Sequence, residues 1–152
     1  MLDITKLDPY VLNILEKQGW YPGRTYDFSR WLDSLSQEGY VCFDYAEQVL
    51  RSLGGISVND AGDKAHMSAQ FCFNALEASG EFDRIEDFQE IANEELYPIG
   101  LMAQAFAYVG KSKKIYWGDW RDFNWLGDSI EDYLNSLFDP KRKSKCYTPI
   151  QE

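Results

Sequence analysis

The thirteen residues from Tyr97 to Val109 limit the fold most, because none of them carries a charge. The run Tyr97-Pro-Ile-Gly-Leu-Met-Ala-Gln-Ala-Phe-Ala-Tyr-Val109 is followed by a turn signal, Gly110-Lys-Ser-Lys113, and then by Ile115-Tyr-Trp117. That order reads as strand, turn, strand. Apolar side chains occupy both parities of the run, so both faces of the resulting sheet must be covered. Pro98 cannot donate to a ladder and Ala103-Gln-Ala105 has weak β propensity, so 97–109 fits one continuous strand or two short ones with a bulge or tight turn near Gln104. After Trp125-Leu-Gly127, Asp128-Ser-Ile-Glu131 has the layout of a capping box. Ile130, Tyr133, Leu134 and Leu137 then recur at helical spacing, which gives the predicted helix one apolar face for the sheet.

A chain of 152 residues, 45% hydrophobic and 16% aromatic, is long and apolar enough to bury a core despite its net charge of -10. A single domain is therefore expected. No apolar run is long enough to span a bilayer, and the start, Met1-Leu-Asp-Ile-Thr-Lys6, lacks the basic-then-apolar layout of a secretory signal. A cytoplasmic site is the simplest expectation. Cys42, Cys72 and Cys146 are widely spaced and form no Cys-x-x-Cys pair, so they read as ordinary reduced thiols. The charge is uneven: residues 1–110 carry 18 acidic and 7 basic side chains, whereas residues 111–152 carry 7 acidic and 8 basic. Such an acidic surface repels nucleic acid and membrane phosphates and attracts basic partners.

Taken in order, Asp8-Pro9 supplies an N-cap and a first-turn proline for a helix that Gly19 closes, with Val11, Ile14 and Leu15 inward. Gly19-Trp-Tyr-Pro-Gly-Arg24 is a packed loop. Asp27 caps a second helix with the stripe Phe28, Trp31, Leu32 and Leu35. A third helix is expected over Tyr40 to Leu53, stopped by Gly54-Gly55. Ile56-Ser-Val58 and the alternating stretch from His66 to Phe73 read as strands. Asp83 starts a fourth helix with Ile85, Phe88, Ile91, Ala92 and Leu96 inward and a strongly negative outer face. The expected architecture is α+β: N-terminal helices, then a mixed or antiparallel β-sheet flanked by helices, in one domain over 1–138. Asp139-Pro-Lys-Arg-Lys-Ser-Lys145 leaves the periodic pattern and opens a mobile basic tail, 139–152.

Recognisable catalytic chemistry is sparse. The lone histidine, His66, has no identifiable nucleophile or orienting partner and fits a structural role better than that of a base. No nucleophile elbow, Walker loop, zinc-protease helix or calcium loop occurs. Gly110-Lys-Ser112 lacks the first glycine of a phosphate loop and precedes a strand, so it is a hairpin turn. No catalytic residue, cofactor or metal is expected. Carboxylates are abundant instead. Glu86, Asp87, Glu90 and Glu94 fall near one another on the outer side of the fourth helix, either as a solvated face or as a docking surface for a basic protein. Asp119, Asp122 and Asp128 interleave with Trp117, Trp120, Phe123 and Trp125, a mixture suited to protein contacts unless the rings fill the core.

Five punctuation marks occur in series: Gly19-Trp-Tyr-Pro-Gly-Arg24, Leu53-Gly-Gly-Ile56, Leu96-Tyr-Pro-Ile-Gly100, Ile115-Tyr116 and Leu126-Gly-Asp-Ser129. In this order and spacing, over about residues 14–138, the chain resembles the SUKH superfamily (a Smi/Knr-like fold), specifically its third branch of bacterial immunity proteins. The resemblance implies an α+β fold and a protein that binds and neutralises a cognate polymorphic toxin, often a nuclease or deaminase. It also implies mainly structural roles for Trp20, Gly23, Gly54, Gly55, Pro98 and Gly100. With the acidic balance, it leads to the expectation of a non-enzymatic plug on a basic toxin, contacting it through Glu86, Asp87, Glu90, Glu94, Asp119 and Asp122, with no direct contact to nucleic acid or membrane. The alternatives are a signalling or scaffold module of the same superfamily and a small carboxylate-dependent hydrolase.

Overall fold

A computed structural model describes residues 2–58, 71–102, 105–119, 122–136 and the backbone of 145–149. The helices are α1 (Pro9–Lys17), α2 (Ser29–Glu38), α3 (Asp44–Leu53), α4 (Phe82–Ala92) and α5 (Ile130–Ser136). The strands are β1 (Ser57–Val58), β2 (Phe71–Cys72), β3 (Leu96–Met102), β4 (Ala105–Gly110), β5 (Ile115–Gly118), β6 (Asp122–Gly127) and β7 (Lys145–Pro149). They form one sheet in sequence order, antiparallel throughout. The fold is α+β, as the pattern of stripes and turns implies.

Local signals set most of the helix ends. Asp8 Oδ1 accepts from Tyr10 N–H at 2.9 Å, with Pro9 in the first turn of α1. Asp27 Oδ1 accepts from Ser29 N–H at 3.0 Å at the start of α2. The third helix begins at Asp44, four residues later than its apolar pattern suggests. The reason is tertiary: the Tyr40 hydroxyl donates to Ala78 O at 2.8 Å and its ring meets Phe82 edge-on at 5.1 Å, which holds that residue outside the helix. At α5 the cap sits one residue beyond the expected box. Ser129 Oγ accepts from Asp132 N–H at 3.1 Å, and Asp132 Oδ2 accepts from Asp128 N–H at 2.9 Å. Glu131 is instead buried and accepts from Asp3 N–H at 2.9 Å. Asn135, which bonds Asp8 N–H and Lys6 O, completes a strap between the N-terminal segment and α5.

The uncharged run is two strands. β3 and β4 pair from Leu96↔Gly110 to Met102↔Ala105, with a register shift between Pro98 and Gly100. That irregularity is where a residue lacking an N–H is tolerated in a central strand. Both faces are covered. Phe88 of α4 stacks on Phe123 at 4.8 Å and lies 5.4 Å from Tyr108, while Phe123 stacks on Tyr116 at 5.0 Å. By strand alternation Val109, Ile115 and Leu126 point the other way, and they are buried where α3 meets β3 and β4 and α5 meets β6.

Lys145–Pro149, expected as part of a mobile tail, pairs with β6 as β7. The run Cys146-Tyr-Thr148 has β-favouring side chains and completes the edge that β6 would otherwise expose. Residues 139–144 and 150–152 lie outside the described residues, as do His66, Leu137 and most of the strand expected over 66–73.

Several of the motif residues occupy constrained positions. Trp20 is buried and its Nε1 donates to Ser52 Oγ at 3.3 Å. Gly23 shapes the following loop, and Gly54-Gly55 passes beneath the Tyr26 ring. Gly100 is the tightest position. Its φ is +151°, and a Cβ there would stand 1.8 Å from the Cys72 carbonyl oxygen on β2. Gly100→Ala should therefore destabilise the fold by about 3 kcal/mol or more, since it adds backbone strain to a main-chain collision. The check is the urea midpoint of the variant against the parent; an unchanged midpoint would contradict this packing.

Candidate protein-binding surface

On α4, Ile85 and Phe88 are buried while Glu86, Asp87 and Glu90 are exposed, which is the outcome of helical periodicity on a surface helix. Among the described residues these three carboxylates have no hydrogen-bond or ion-pair partner. Phe88 locates the helix on the sheet: a Cβ on Gly118 would lie 2.4 Å from its ring. Only the absence of a side chain at Gly118 admits the ring. The middle of α4 thus sits over the last residue of β5, next to the β5–β6 turn.

That turn carries the second acidic pair. Asp119 Oδ1 accepts from Asp122 N–H at 2.8 Å, and Asp119 N–H donates to Asp122 O at 3.0 Å. Both residues are partly exposed. Of the six carboxylates singled out from the sequence, five lie on α4 or on the turn beside it. Trp117 and Trp125 are half-buried against the core, so the aromatic part of the expected patch is mostly packing, and Trp120 lies outside the described residues.

Glu94 departs from the expected face. The helix ends at Ala92, and Asn93 turns the chain with φ +57°. Glu94 then reaches the β4–β5 hairpin, where Oε1 accepts from Ser112 N–H at 2.8 Å and Oε2 accepts from Ser112 Oγ at 2.8 Å and the Tyr116 hydroxyl at 2.6 Å. A Cβ at Gly110 would lie 2.5 Å from the Glu94 carboxylate, so that glycine makes room for the anchor. The signal available in the sequence was the pair Gly110 and Ser112, a small residue and a hydroxyl flanking one turn.

The remaining chemistry is muted. Burial pushes the Cys42 thiol up to about 11, with the Glu47 charge adding to it, so it is a poor nucleophile at neutral pH. Burial likewise raises the phenols of Tyr40, Tyr97 and Tyr108 well above their usual range. Among the described residues no group of three or more His, Cys, Asp or Glu could hold a metal ion, and no helix is long and apolar enough to cross a membrane.

The family model for SUKH-3 immunity protein matches residues 7–139. The chain belongs to the SUKH-3 immunity protein family. No curated protein and no solved structure matches it. The match spans every element from α1 to α5, and the family implies an antitoxin role exerted on a cognate toxin.

The Glu94 anchor makes this SUKH-3 chain testable at one atom. Gly110→Ala should displace the carboxylate, release the Ser112 and Tyr116 bonds and cost about 2 kcal/mol, and Glu94→Gln should cost about 1 kcal/mol. Hydrogen exchange at the Ser112 amide reads the same event, and full retention of its protection in Gly110→Ala would contradict the arrangement.

Proposed function

We propose that this protein is a cytoplasmic antitoxin that acts by binding, without chemistry of its own, and that its toxin is a basic nuclease or deaminase whose active or nucleic-acid-binding site is occluded. Membership in an immunity family supports the antitoxin role. The contact surface is the outer side of α4 with the adjoining β5–β6 turn: Glu86, Asp87, Glu90, Asp119 and Asp122. Glu94 supports this surface from within the hairpin.

The observation that carries the proposal is the cluster of Glu86, Asp87 and Glu90, exposed and without partners among the described residues, beside the hydrogen-bonded pair Asp119 and Asp122 at the turn. Charges left unpaired at a surface keep their field in solvent, where they steer a cationic partner and stand in for phosphates in a basic cleft. The same field disfavours direct contact with nucleic acid or anionic membrane.

A triple reversal, Glu86→Lys with Asp87→Lys and Glu90→Lys, tests it against the cognate toxin. Association at low salt should slow by about 10- to 100-fold and its salt dependence should flatten, with dissociation changed less. An unchanged association rate across a salt series, in a variant with unchanged circular dichroism, would remove α4 from the interface.

A further inference from the structure

The N-terminal segment, the Trp20–Thr25 loop and α3 enclose a groove of about 320 Å³ on the α3 side of the sheet. Leu2, Ile4, Trp20 and Pro22 supply its apolar lining. Ile4, on its wall, and Tyr21, in the loop that forms it, are 41% and 56% exposed, two of the three large hydrophobic side chains left exposed among the described residues. Leu2 and Trp20 are buried at its base, so the groove is a concave, largely apolar site with an exposed apolar rim at Ile4, the usual form of a small binding groove.

Its charge is opposite in sign to that of the rest of the molecule. Arg24 and Arg51 line it, and among the described residues no aspartate or glutamate does. Arg24 donates to Ser52 O at 2.9 Å and Gly54 O at 2.6 Å, the carbonyls at the end of α3, so its charge faces a helix C-terminus and has no carboxylate for a partner in those bonds. Arg51 holds Glu47 in an ion pair with both side chains about half exposed, a contact weak enough to exchange for another carboxylate. The walls are already built. Trp20 is fixed to Ser52 and Arg24 to the α3 carbonyls, so filling the groove orders little of this chain.

We infer that this groove is a second docking site, which takes a partner segment presenting an aromatic or aliphatic side chain next to a carboxylate. The side chain enters between Ile4, Trp20 and Pro22, and the carboxylate meets Arg24 and Arg51. The basic sequence Lys141-Arg-Lys143 of this chain has the wrong charge to be the occupant. The site is independent of the acidic surface of α4, because it selects the opposite charge on the partner.

The test is an NMR titration of the full chain with acetyl-Phe-Asp-amide, acetyl-Phe-Lys-amide and acetyl-Ala-Asp-amide, followed at the Trp20 indole N–H and the Gly23, Thr25 and Ser52 amides. Saturable shifts confined to these positions are expected with Phe-Asp, in the millimolar range, with the other two peptides at least about fivefold weaker. Arg51→Glu, at an exposed position, should weaken Phe-Asp binding by a similar factor and leave the rest of the spectrum in place. Equal binding of Phe-Asp and Phe-Lys, or no shift at about 10 mM peptide, would overturn the inference. So would a concentration-dependent dimer that Ile4→Asp abolishes, which would put a second copy in the groove.

Discussion

The ring stack from Phe88 through Phe123 to Tyr116 is the contact on which the arrangement depends. It seats α4 across β5 and β6, and it works because Gly118 leaves room for the Phe88 ring. Fully burying an aromatic ring contributes on the order of 2 to 3 kcal/mol, and stacked pairs add about another 1 kcal/mol. A helix held that firmly on one face must present its remaining residues outward. The exposure of Glu86, Asp87 and Glu90 is thus a consequence of where Phe88 and Ile85 are buried.

The hairpin below α4 is fixed by a different kind of force. Glu94 is a charged group with three hydrogen-bond donors around it, so moving it costs more than a neutral contact would. It links the end of α4 to the turn between β4 and β5, while Phe88 links the middle of the helix to the end of β5. Two attachments of different chemistry define the orientation of the acidic face. On the opposite side of the sheet, the strap from Asp3 and Asp8 to Glu131 and Asn135 holds the N-terminal segment that walls the apolar groove.

Much of this was legible in the residues. The stripes of α1 and α2, the stripe of α4 as far as Ala92, the Asp8-Pro9 start, the hairpin at Gly110–Lys113 and the closing helix follow from local periodicity and capping, which short windows report well, whereas Leu96, expected on the fourth helix, opens β3. What stayed hidden was decided by partners distant in sequence. Tyr40 leaves the third helix because Ala78 accepts its hydroxyl, and Glu94 leaves the acidic face because Ser112 and Tyr116 surround it. The cap of α5 moved by one residue because Glu131 bonds an amide 128 positions away. The strand at Lys145–Pro149 was masked by the basic run just before it. Composition weighed the whole segment, whereas pairing needed only five residues beside an open edge. The family membership rests on the match over residues 7–139, and that match says little about which surface meets a toxin.

The central claim is that inhibition is stoichiometric occlusion by the face that α4 and the β5–β6 turn present. Hydrogen exchange of the purified pair, this chain with and without its cognate toxin, tests it most directly. The account predicts a one-to-one complex in which peptides covering Phe82–Ala92 and Ile115–Gly127 gain protection and the toxin's substrate site is covered. Toxin inactivation without a stable complex, or protection confined to segments away from α4 and that turn, would contradict it.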